Sequence, residues 1–260
     1  MNNFLKILQF ELINVIKSKW IIFYSLSFIF ITEAIFRLGG GGSKAIVSLL
    51  NLSLILIPII SIIFGTIYVY NSREFIELLL TQPIKRSQVY IGLYLGLTFP
   101  LSISFVAGLL IPFLIHGIGE PIVFISLLLS GIFNTFIFTG IAIVIALKFD
   151  DKSIGIGVAL LFWFFFAIVY DGLVLFFIWQ FSDYPLEIPL IISSVLNPID
   201  LGRVIVMLKF DLAALMGYTG AIFEKFFGET IGVVISLSML FIWVIVPYLY
   251  GYKIFKTKNF

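Results

Sequence analysis

The sequence has no cysteine and a single histidine, and only 12% of its 260 residues are charged. The lack of cysteine excludes disulfides and thiolate metal sites. The lone His116 has no second histidine with which to share a metal, so it indicates an interfacial polar residue. With 61% hydrophobic residues, the chain has too few polar groups to cover a water-facing surface. The composition therefore predicts an integral membrane protein.

The apolar residues lie in six continuous runs, without the alternation expected of a transmembrane barrel strand. A bilayer core of about 30 Å requires roughly 20 apolar helical residues, which the runs supply or nearly supply. They cover residues 20–36, 46–70, 89–115, 121–147, 154–179 and 231–250. We therefore predict an all-α integral membrane protein, a six-helix transmembrane bundle in which residues 1–260 form one domain.

The first 19 residues carry charges and no small-residue cleavage site, so they do not resemble a cleaved signal peptide. Their apolar residues recur at helical spacing: Phe4, Leu5, Leu8, Leu12, Val15 and Ile16. This pattern predicts an amphipathic helix over residues 1–19 that lies in the membrane interface.

Basic residues indicate the orientation of the bundle, since they concentrate on the cytoplasmic side of membrane proteins. An N-terminus in the cytoplasm places 11 of the 16 basic residues on that side: Lys6, Lys17, Lys19, Arg73, Lys85, Arg86, Lys148, Lys152, Lys253, Lys256 and Lys258. We therefore expect both termini to be cytoplasmic.

Two acidic residues fall within the predicted spans, where charge is costly. Glu33 has Arg37 four residues later, a spacing that predicts an ion pair on one helix. Asp171 lies near the outer end of the fifth run and precedes Gly172. It is compatible with a structural residue near the headgroups or with a functional break between helices.

The gap at residues 71–88 is the most informative hydrophilic stretch. A short helix there presents Phe75, Leu78 and Leu79 on one face and carboxylates on the other. Pro83 should end it, because the residue before a proline avoids the helical region. We expect this segment to be a cytoplasmic contact element.

The segment 181–229 is far longer than a helix connection requires. Within it, apolar positions recur every three or four residues and predict one apolar helix face: Leu212, Leu215, Met216 and Thr219. Such a face can dock an exoplasmic protein or fold back on the bundle.

Together these features resemble the permeases of type-two ABC exporters, in which a helix after the second span contacts the ATPase. The residues that fit this coupling pattern are Arg73, Glu74, Glu77, Leu78, Leu79, Pro83, Lys85 and Arg86. Phe75 and Ile76 depart from it, because a small Gly-Thr pair is common there. The exoplasmic pattern of Asn197, Pro198, Asp200 and Arg203, followed by a small-residue helix, is similar to permeases of nitrous oxide reductase maturation.

This resemblance implies a permease domain in a bacterial inner membrane that couples ATP hydrolysis to copper-site maturation of the reductase. The implied assembly is a permease homodimer with two cytoplasmic ATPases, which bind the ATP and Mg²⁺. The implied exoplasmic partners are a β-helical copper-handling protein and a copper chaperone. Asn197, Pro198, Asp200 and Arg203 are then docking residues, alongside the apolar face of the same segment. No cofactor bound directly by this chain and no nucleic-acid partner are expected.

Other functions stay open from the sequence. The same permease architecture serves export of a lipid, a glycan or a drug, and a different class would be a membrane scaffold or intramembrane enzyme. Met207 and Met216 are soft ligands, but two thioethers without a neighbouring histidine favour apolar packing. No catalytic or metal-binding set stands out, so we expect the chain itself not to be an enzyme.

Overall fold

A computed structural model describes residues 3–38, 43–117, 119–209 and 217–259, and within these ranges it contains helices and no strand. The elements are α1 (Asn3–Ile16), α2 (Lys19–Leu38), α3 (Ser43–Asn71), α4 (Arg73–Leu80), α5 (Arg86–His116), α6 (Pro121–Lys148), α7 (Lys152–Phe164), a π-helical turn (Phe165–Val169), α8 (Tyr170–Gln180), α9 (Glu187–Leu196), α10 (Pro198–Met207) and α11 (Gly217–Thr257).

Six membrane-spanning candidates occur in the described residues, on the criteria of length and apolar composition. They are α2, α3 from Lys44, α5, α6, the continuous α7–α8 rod, and α11 from Thr230. Each contains one of the six apolar runs, so the predicted all-α membrane bundle is confirmed. Gly228, with a φ of 68°, bends α11 just before its span begins.

Contacts between distant residues show which helix ends lie together. Lys152 donates to Asn71, and Arg86 donates to the backbone of Lys258. We call this end, formed by α1, α4, residues 149–151 and residues 255–259, the terminal face. At the other end, the distal face, the side chains of Glu33 and His116 meet. Helix α1 and the end of the last helix thus lie at the same face, as six crossings require.

The core runs through the whole bundle, and α6 lies at its centre. Two thirds of the apolar window of α6 is buried, 67%, against 6% for the fifth span formed by α7 and α8. The largest fully buried side chains include Tyr90, Phe105 and Phe138. In a membrane protein the unburied apolar surface of the fifth span faces lipid or another chain.

The helix α1 packs along α5, and its buried face differs from the predicted one. Ile7, Glu11 and Val15 point inward, whereas the predicted Leu5 and Ile16 are exposed. The reason is the glycine pair of α5: a Cβ at Gly92 would lie 2.7 Å from Ile7 Cγ2, and one at Gly96 would clash with Glu11. Because these two glycines have no side chains, α1 can pack closely against α5. The carboxyl group of Glu11 is buried between the two helices.

The segment after the fifth span is helical, as predicted, but it does not stay on the surface. Helices α9 and α10 form a hairpin bent by 112°, a broken span or re-entrant loop. Most of α10 is buried, and a Cβ at Gly202 would lie 2.8 Å from Asn134 Nδ2 of α6. The apolar composition of α10 and this close approach explain why it re-enters the bundle.

Candidate coupling face and polar hairpin

The terminal face carries α4, whose sequence separates one buried residue from several exposed ones. Ile76 is 1% exposed and points into the bundle. The adjacent Phe75 ring stacks on Phe10 of α1, with 4.6 Å between ring centroids. Thr81 follows the last helical residue, and Pro83 lies beyond it, so the helix ends before the proline as predicted. The helix α4 is therefore seated on α1 and the core by its Phe75–Ile76 edge.

Arg73 ties the start of α4 to the end of α6. Its Nη2 donates to the carbonyl oxygens of Ala146 and Phe149, each at 3.1 Å, and Nη1 donates to Asp150 O at 3.1 Å. The last carbonyls of a helix lack intrahelical donors, so a guanidinium is well suited to satisfy them. Tyr70 Oη donates to the same Phe149 carbonyl at 2.8 Å. The contact element is thus fixed to the α6–α7 connection.

Asp150 brings the C-terminal segment into this network. Its Oδ1 accepts from Lys258 Nζ at 2.7 Å and from Arg73 Nη2 at 3.2 Å. Lys258 Nζ also donates to Leu147 O at 2.5 Å. The hydrogen bond from Lys258, with the positive charges of Lys258 and Arg73, holds the pKa of the Asp150 carboxyl below its ordinary value.

Arg86, in the first turn of α5, donates in the same way to carbonyl oxygens at the end of the last helix. Its Nη1 lies 3.2 Å from Phe255 O, 3.1 Å from Lys256 O and 2.7 Å from Lys258 O. Both ends of the 73–86 segment are therefore anchored by arginines to the ends of other helices.

The predicted coupling residues divide into two sets in this arrangement. Arg73 and Arg86 are the anchors, and Leu79 is half-buried against the core. The others are exposed to solvent or a partner: Glu74, Glu77, Leu78, Pro83 and Lys85. The predicted apolar face was wrong in one respect, because Ile76 is buried instead and Leu78 is 64% exposed. Asp150 and Lys258 were missed, since no local pattern links residues so far apart in sequence.

At the other half of the bundle, Asn197 closes the turn between α9 and α10. Its Oδ1 accepts from Ile199 N at 3.0 Å and caps α10, while Pro198 follows as the first helical residue. Its Nδ2 donates to Phe166 O and to Asp200 Oδ2, both at 3.1 Å. Phe166 belongs to the π-helical turn, where the altered hydrogen-bond ladder leaves carbonyls for other donors.

Arg203 completes this polar cluster between two carboxylates. Its Nη1 lies 3.0 Å from Asp200 Oδ1, and its Nη2 lies 3.4 Å from Asp171 Oδ2. Next to Asp171, Tyr170 Oη donates to Ser193 O at 2.7 Å. The fifth span and the hairpin are thereby joined through a cluster of Asp171, Asn197, Asp200 and Arg203, all linked by hydrogen bonds. Asp171 is a paired residue of this cluster.

The structure places the predicted docking residues unequally. Asn197 and Pro198 are buried, and Asp200 and Arg203 are partly buried in the polar cluster. Because Asn197 and Pro198 are buried, they offer no surface for direct contact with an outside protein, and they shape the turn of the hairpin. Leu212, Leu215 and Met216 lie outside the described residues. Thr219 lies in the first turns of α11, but its side chain also lies outside them.

A second ion-pair group lies at the distal face. Arg37 Nε donates to Glu33 Oε1 at 2.6 Å, which confirms the predicted pair on α2. His116 Nε2 lies 2.9 Å from Glu33 Oε2, and the imidazole stacks on Phe36. These contacts join α2 to α5. Across the described ranges, no group of three or more His, Cys, Asp or Glu side chains is placed to hold a metal ion.

No protein-family model matches the chain. It is similar to a probable ABC transporter permease protein NosY from Stutzerimonas stutzeri, with 27% identity covering 99% of each chain. A protein of the same description from Pseudomonas aeruginosa is 28% identical, covering 80% of this chain and 82% of its own. The chain is thus similar to NosY-type ABC permeases over its whole length, which confirms the resemblance predicted from the coupling and hairpin residues. Its six apolar helices are those of a multi-pass membrane protein.

Proposed function

We propose that this chain is the transmembrane permease subunit of an ABC transporter that couples ATP hydrolysis by a separate ATPase to an exoplasmic partner in copper-site maturation of nitrous oxide reductase. One observation supports the coupling role above all others. The outward face of α4 is exposed and acidic, whereas its ends are anchored through Arg73 and Arg86 to the ends of α6 and α11.

In this proposal the ATPase binds the face formed by Glu74, Glu77 and Leu78. The helix α4 cannot move alone, because Arg73 is hydrogen-bonded to the end of α6 and Arg86 to the end of α11. Both helices pack against α10 in the core. A displacement of α4 is therefore transmitted through α6 and α11 to the re-entrant hairpin, since well-packed interiors transmit strain. In this proposal the chain catalyses no reaction, and it transmits the conformational change of the ATPase across the membrane.

The proposed surroundings rest on the resemblance to permeases of nitrous oxide reductase maturation. We place the chain in a bacterial inner membrane as a homodimer, with its terminal face in the cytoplasm against two ATPase subunits that bind ATP and Mg²⁺. The copper-handling β-helical protein, with a chaperone, lies on the distal side. We assign the copper ligands to those partners, since Met207 is buried in apolar core.

The coupling proposal is tested by charge reversal on α4. Glu77→Lys should abolish or strongly weaken co-purification of the ATPase, because a like charge then faces the basic groups that receive the carboxylate. The melting temperature should not change, since Glu77 is exposed. The matched control is Asp183→Lys, an exposed acid beyond the fifth span. Normal ATPase binding and normal ATP-dependent function in Glu77→Lys would exclude α4 as the docking element.

The maturation role is separated from export by the copper content of the reductase. In cells carrying Glu77→Lys, nitrous oxide reductase should accumulate without its full complement of copper. Reductase with normal copper, in cells where ATPase docking is lost, would instead favour an exporter of lipid, glycan or drug.

The orientation needs its own test. Single cysteines at Ser182 and Ser153, on a chain with no natural cysteine, should differ in intact cells. A membrane-impermeant thiol reagent should label the cysteine at 182, on the distal side, and leave the one at 153 unlabelled. The reverse pattern would invert the assignment of both faces.

Partner docking at the distal side rests on the long segment after the fifth span. Met216→Asp should remove the exoplasmic partner from the purified complex without lowering the melting temperature. A sharply lowered melting temperature with the partner still bound would mean that this segment folds back on the bundle.

A further inference from the structure

A groove lies on the outside of the bundle, between the start of α2 and the second half of α3. Its volume is about 440 Å³, within the roughly 300–1,000 Å³ range of small-ligand sites. Its walls are mostly aliphatic and aromatic, and its few polar groups lie at one end. The lining residues are Ser18, Trp20, Ile59, Ile60, Ile63, Phe64, Ile67, Tyr68 and Asn71.

The groove has the length of one membrane leaflet. Along α3 it extends from Asn71 at the terminal face to Ile59, twelve residues deeper. At 1.5 Å per residue this is about 18 Å, close to half of a hydrocarbon core of about 30 Å. An extended acyl chain that enters from the terminal face therefore fits along it.

The open end of the groove is polar and basic. Ser18 lines it and lies between the exposed Lys17 and Lys19. Lys152 Nζ reaches the same end, where it donates to Asn71 Oδ1 at 2.9 Å. Trp20 is 69% exposed at this level, and tryptophans of membrane proteins concentrate at the headgroup depth. Lys152 therefore lies at the place where a headgroup would lie, and Lys17 and Lys19 flank a lining residue in sequence.

We propose that this groove is a binding site for an anionic phospholipid of the leaflet at the terminal face. One acyl chain lies along Ile59, Ile63 and Ile67, and the phosphate lies at Lys17 and Lys19. Each lysine close to the headgroup layer contributes to attraction of anionic lipid, whereas zwitterionic lipid carries no net charge to attract. This site is independent of the coupling function proposed above.

A second copy of the chain is the competing occupant. Two copies joined groove to groove by a two-fold axis would bring Lys17 and Lys19 of each chain against the same lysines of the other. Like charges placed together across an interface are costly. The basic rim therefore favours an anionic lipid over a second permease.

The full chain, reconstituted in phosphatidylcholine vesicles, tests this site with spin-labelled phosphatidylglycerol and with phosphatidylcholine carrying the same label. The motionally restricted fraction of each label gives its relative association constant. The natural chain should prefer phosphatidylglycerol. Replacing Lys17 and Lys19 together by glutamine should weaken that preference on the order of ten- to thirty-fold.

The matched control is Lys253→Gln with Lys256→Gln, two exposed lysines at the terminal end of α11. This control should keep most of the preference. Ile63→Trp, which fills the apolar groove and leaves the lysines in place, should reduce restricted phosphatidylglycerol as well.

Three outcomes of the lipid measurement would overturn the site. They are no preference for phosphatidylglycerol in the natural chain, equal losses in the two lysine pairs, or an unchanged preference in Ile63→Trp. Disulfide formation between copies through a cysteine introduced at Ile63 would assign the groove to the dimer instead.

Discussion

The two ends of the bundle are held together in different ways. At the terminal face, Arg73 and Arg86 donate to carbonyls at the ends of distant helices, and much of this network is open to water. In the distal half, Asn197, Asp200 and Arg203 pair with one another and with the fifth span inside the protein. A network between helix ends can shift while its helices stay intact. The hairpin cluster, in which Asp200 is largely buried and Arg203 and Asp171 are partly buried, has less freedom, because each charge there depends on its partner.

Because of this difference, substitutions in the hairpin cluster and in the terminal network should have different effects. Breaking the hairpin cluster leaves a carboxylate without its cation in a poorly solvated place, so stability should fall. Breaking the terminal network leaves polar groups that water can reach, so coupling should be affected more than stability. The four predictions below test this contrast, from the largest effect to the smallest.

The largest effect is expected for Arg203→Ala. It leaves Asp171 and Asp200 as two neighbouring carboxylates without their shared cation. Breaking a buried ion pair costs about 3–5 kcal/mol. The side chain of Arg203 is 33% exposed, so we expect the lower end of that range. The measurement is the free energy of unfolding, or the melting temperature, of the detergent-solubilised chain.

The control for this experiment removes the charge of Arg203 together with that of its nearer partner Asp200, and leaves Asp171 in place. In the double variant Arg203→Gln with Asp200→Asn, the uncompensated carboxylate beside Asn197 is gone, so the loss should be smaller than in Arg203→Ala. Equal losses in the two variants would mean that packing of the arginine, not charge compensation, holds the hairpin.

Arg86→Ala should have an intermediate effect. Three carbonyls at the end of α11 lose their common donor. Hydrogen bonds to charged groups contribute about 1.5–3 kcal/mol, and the lower value is expected since water can reach these carbonyls. The C-terminal residues should become sensitive to carboxypeptidase while the melting temperature falls only modestly. Arg86→Lys retains the charge and should recover part of the protection.

The sequence predicted the terminal face better than the distal half, and the reason is physical. Spans follow from long apolar runs, and the ends of α4 follow from Pro83 and local amphipathicity. Local signals of this kind need no knowledge of tertiary contacts. Re-entry of α10 depends on packing against α6, through a glycine whose role is visible only beside Asn134. The apolar residues of α10 permit an exposed docking helix or a buried one equally well.

The same limit applies to individual site residues. Arg73 was predicted as part of the coupling segment, yet its partners Ala146 and Phe149 are more than seventy residues away. The inward direction of Glu11 depends on Gly96 of another helix. Periodicity indicates which residues share a face but not which neighbour that face meets.

Glu11 gives a pH-dependent test of the terminal face. Burial raises the pKa of this carboxyl above its ordinary value of 4.5, although a hydrogen bond from Tyr68 lowers it in part. An acid with a raised pKa binds more protons in the folded state. Its contribution to stability is therefore fully present below pH 4.5 and is lost as the pH rises through the folded-state pKa.

The natural chain should accordingly lose stability relative to Glu11→Gln as the pH is raised from 4 toward neutrality. Glutamine keeps an acceptor for Tyr68 and does not titrate. The measurement is the melting temperature of both chains over this range. Parallel curves would mean that the carboxyl is solvated beneath α1.

The smallest effect on stability is expected for Asp150→Asn. The carboxylate is exposed and screened by water, so its ion pairs with Arg73 and Lys258 contribute little. Arg73 also keeps its bonds to the carbonyls of Ala146 and Phe149. Because the pKa of Asp150 is lowered, its contribution is present above the ordinary value of 3.8 and is lost as the pH falls through the folded-state pKa. The difference in melting temperature between the two chains should therefore shrink in acid and in high salt. A loss as large as that of Arg203→Ala would contradict the contrast between the two ends, because it would make the open terminal network as dependent on one charge as the buried hairpin.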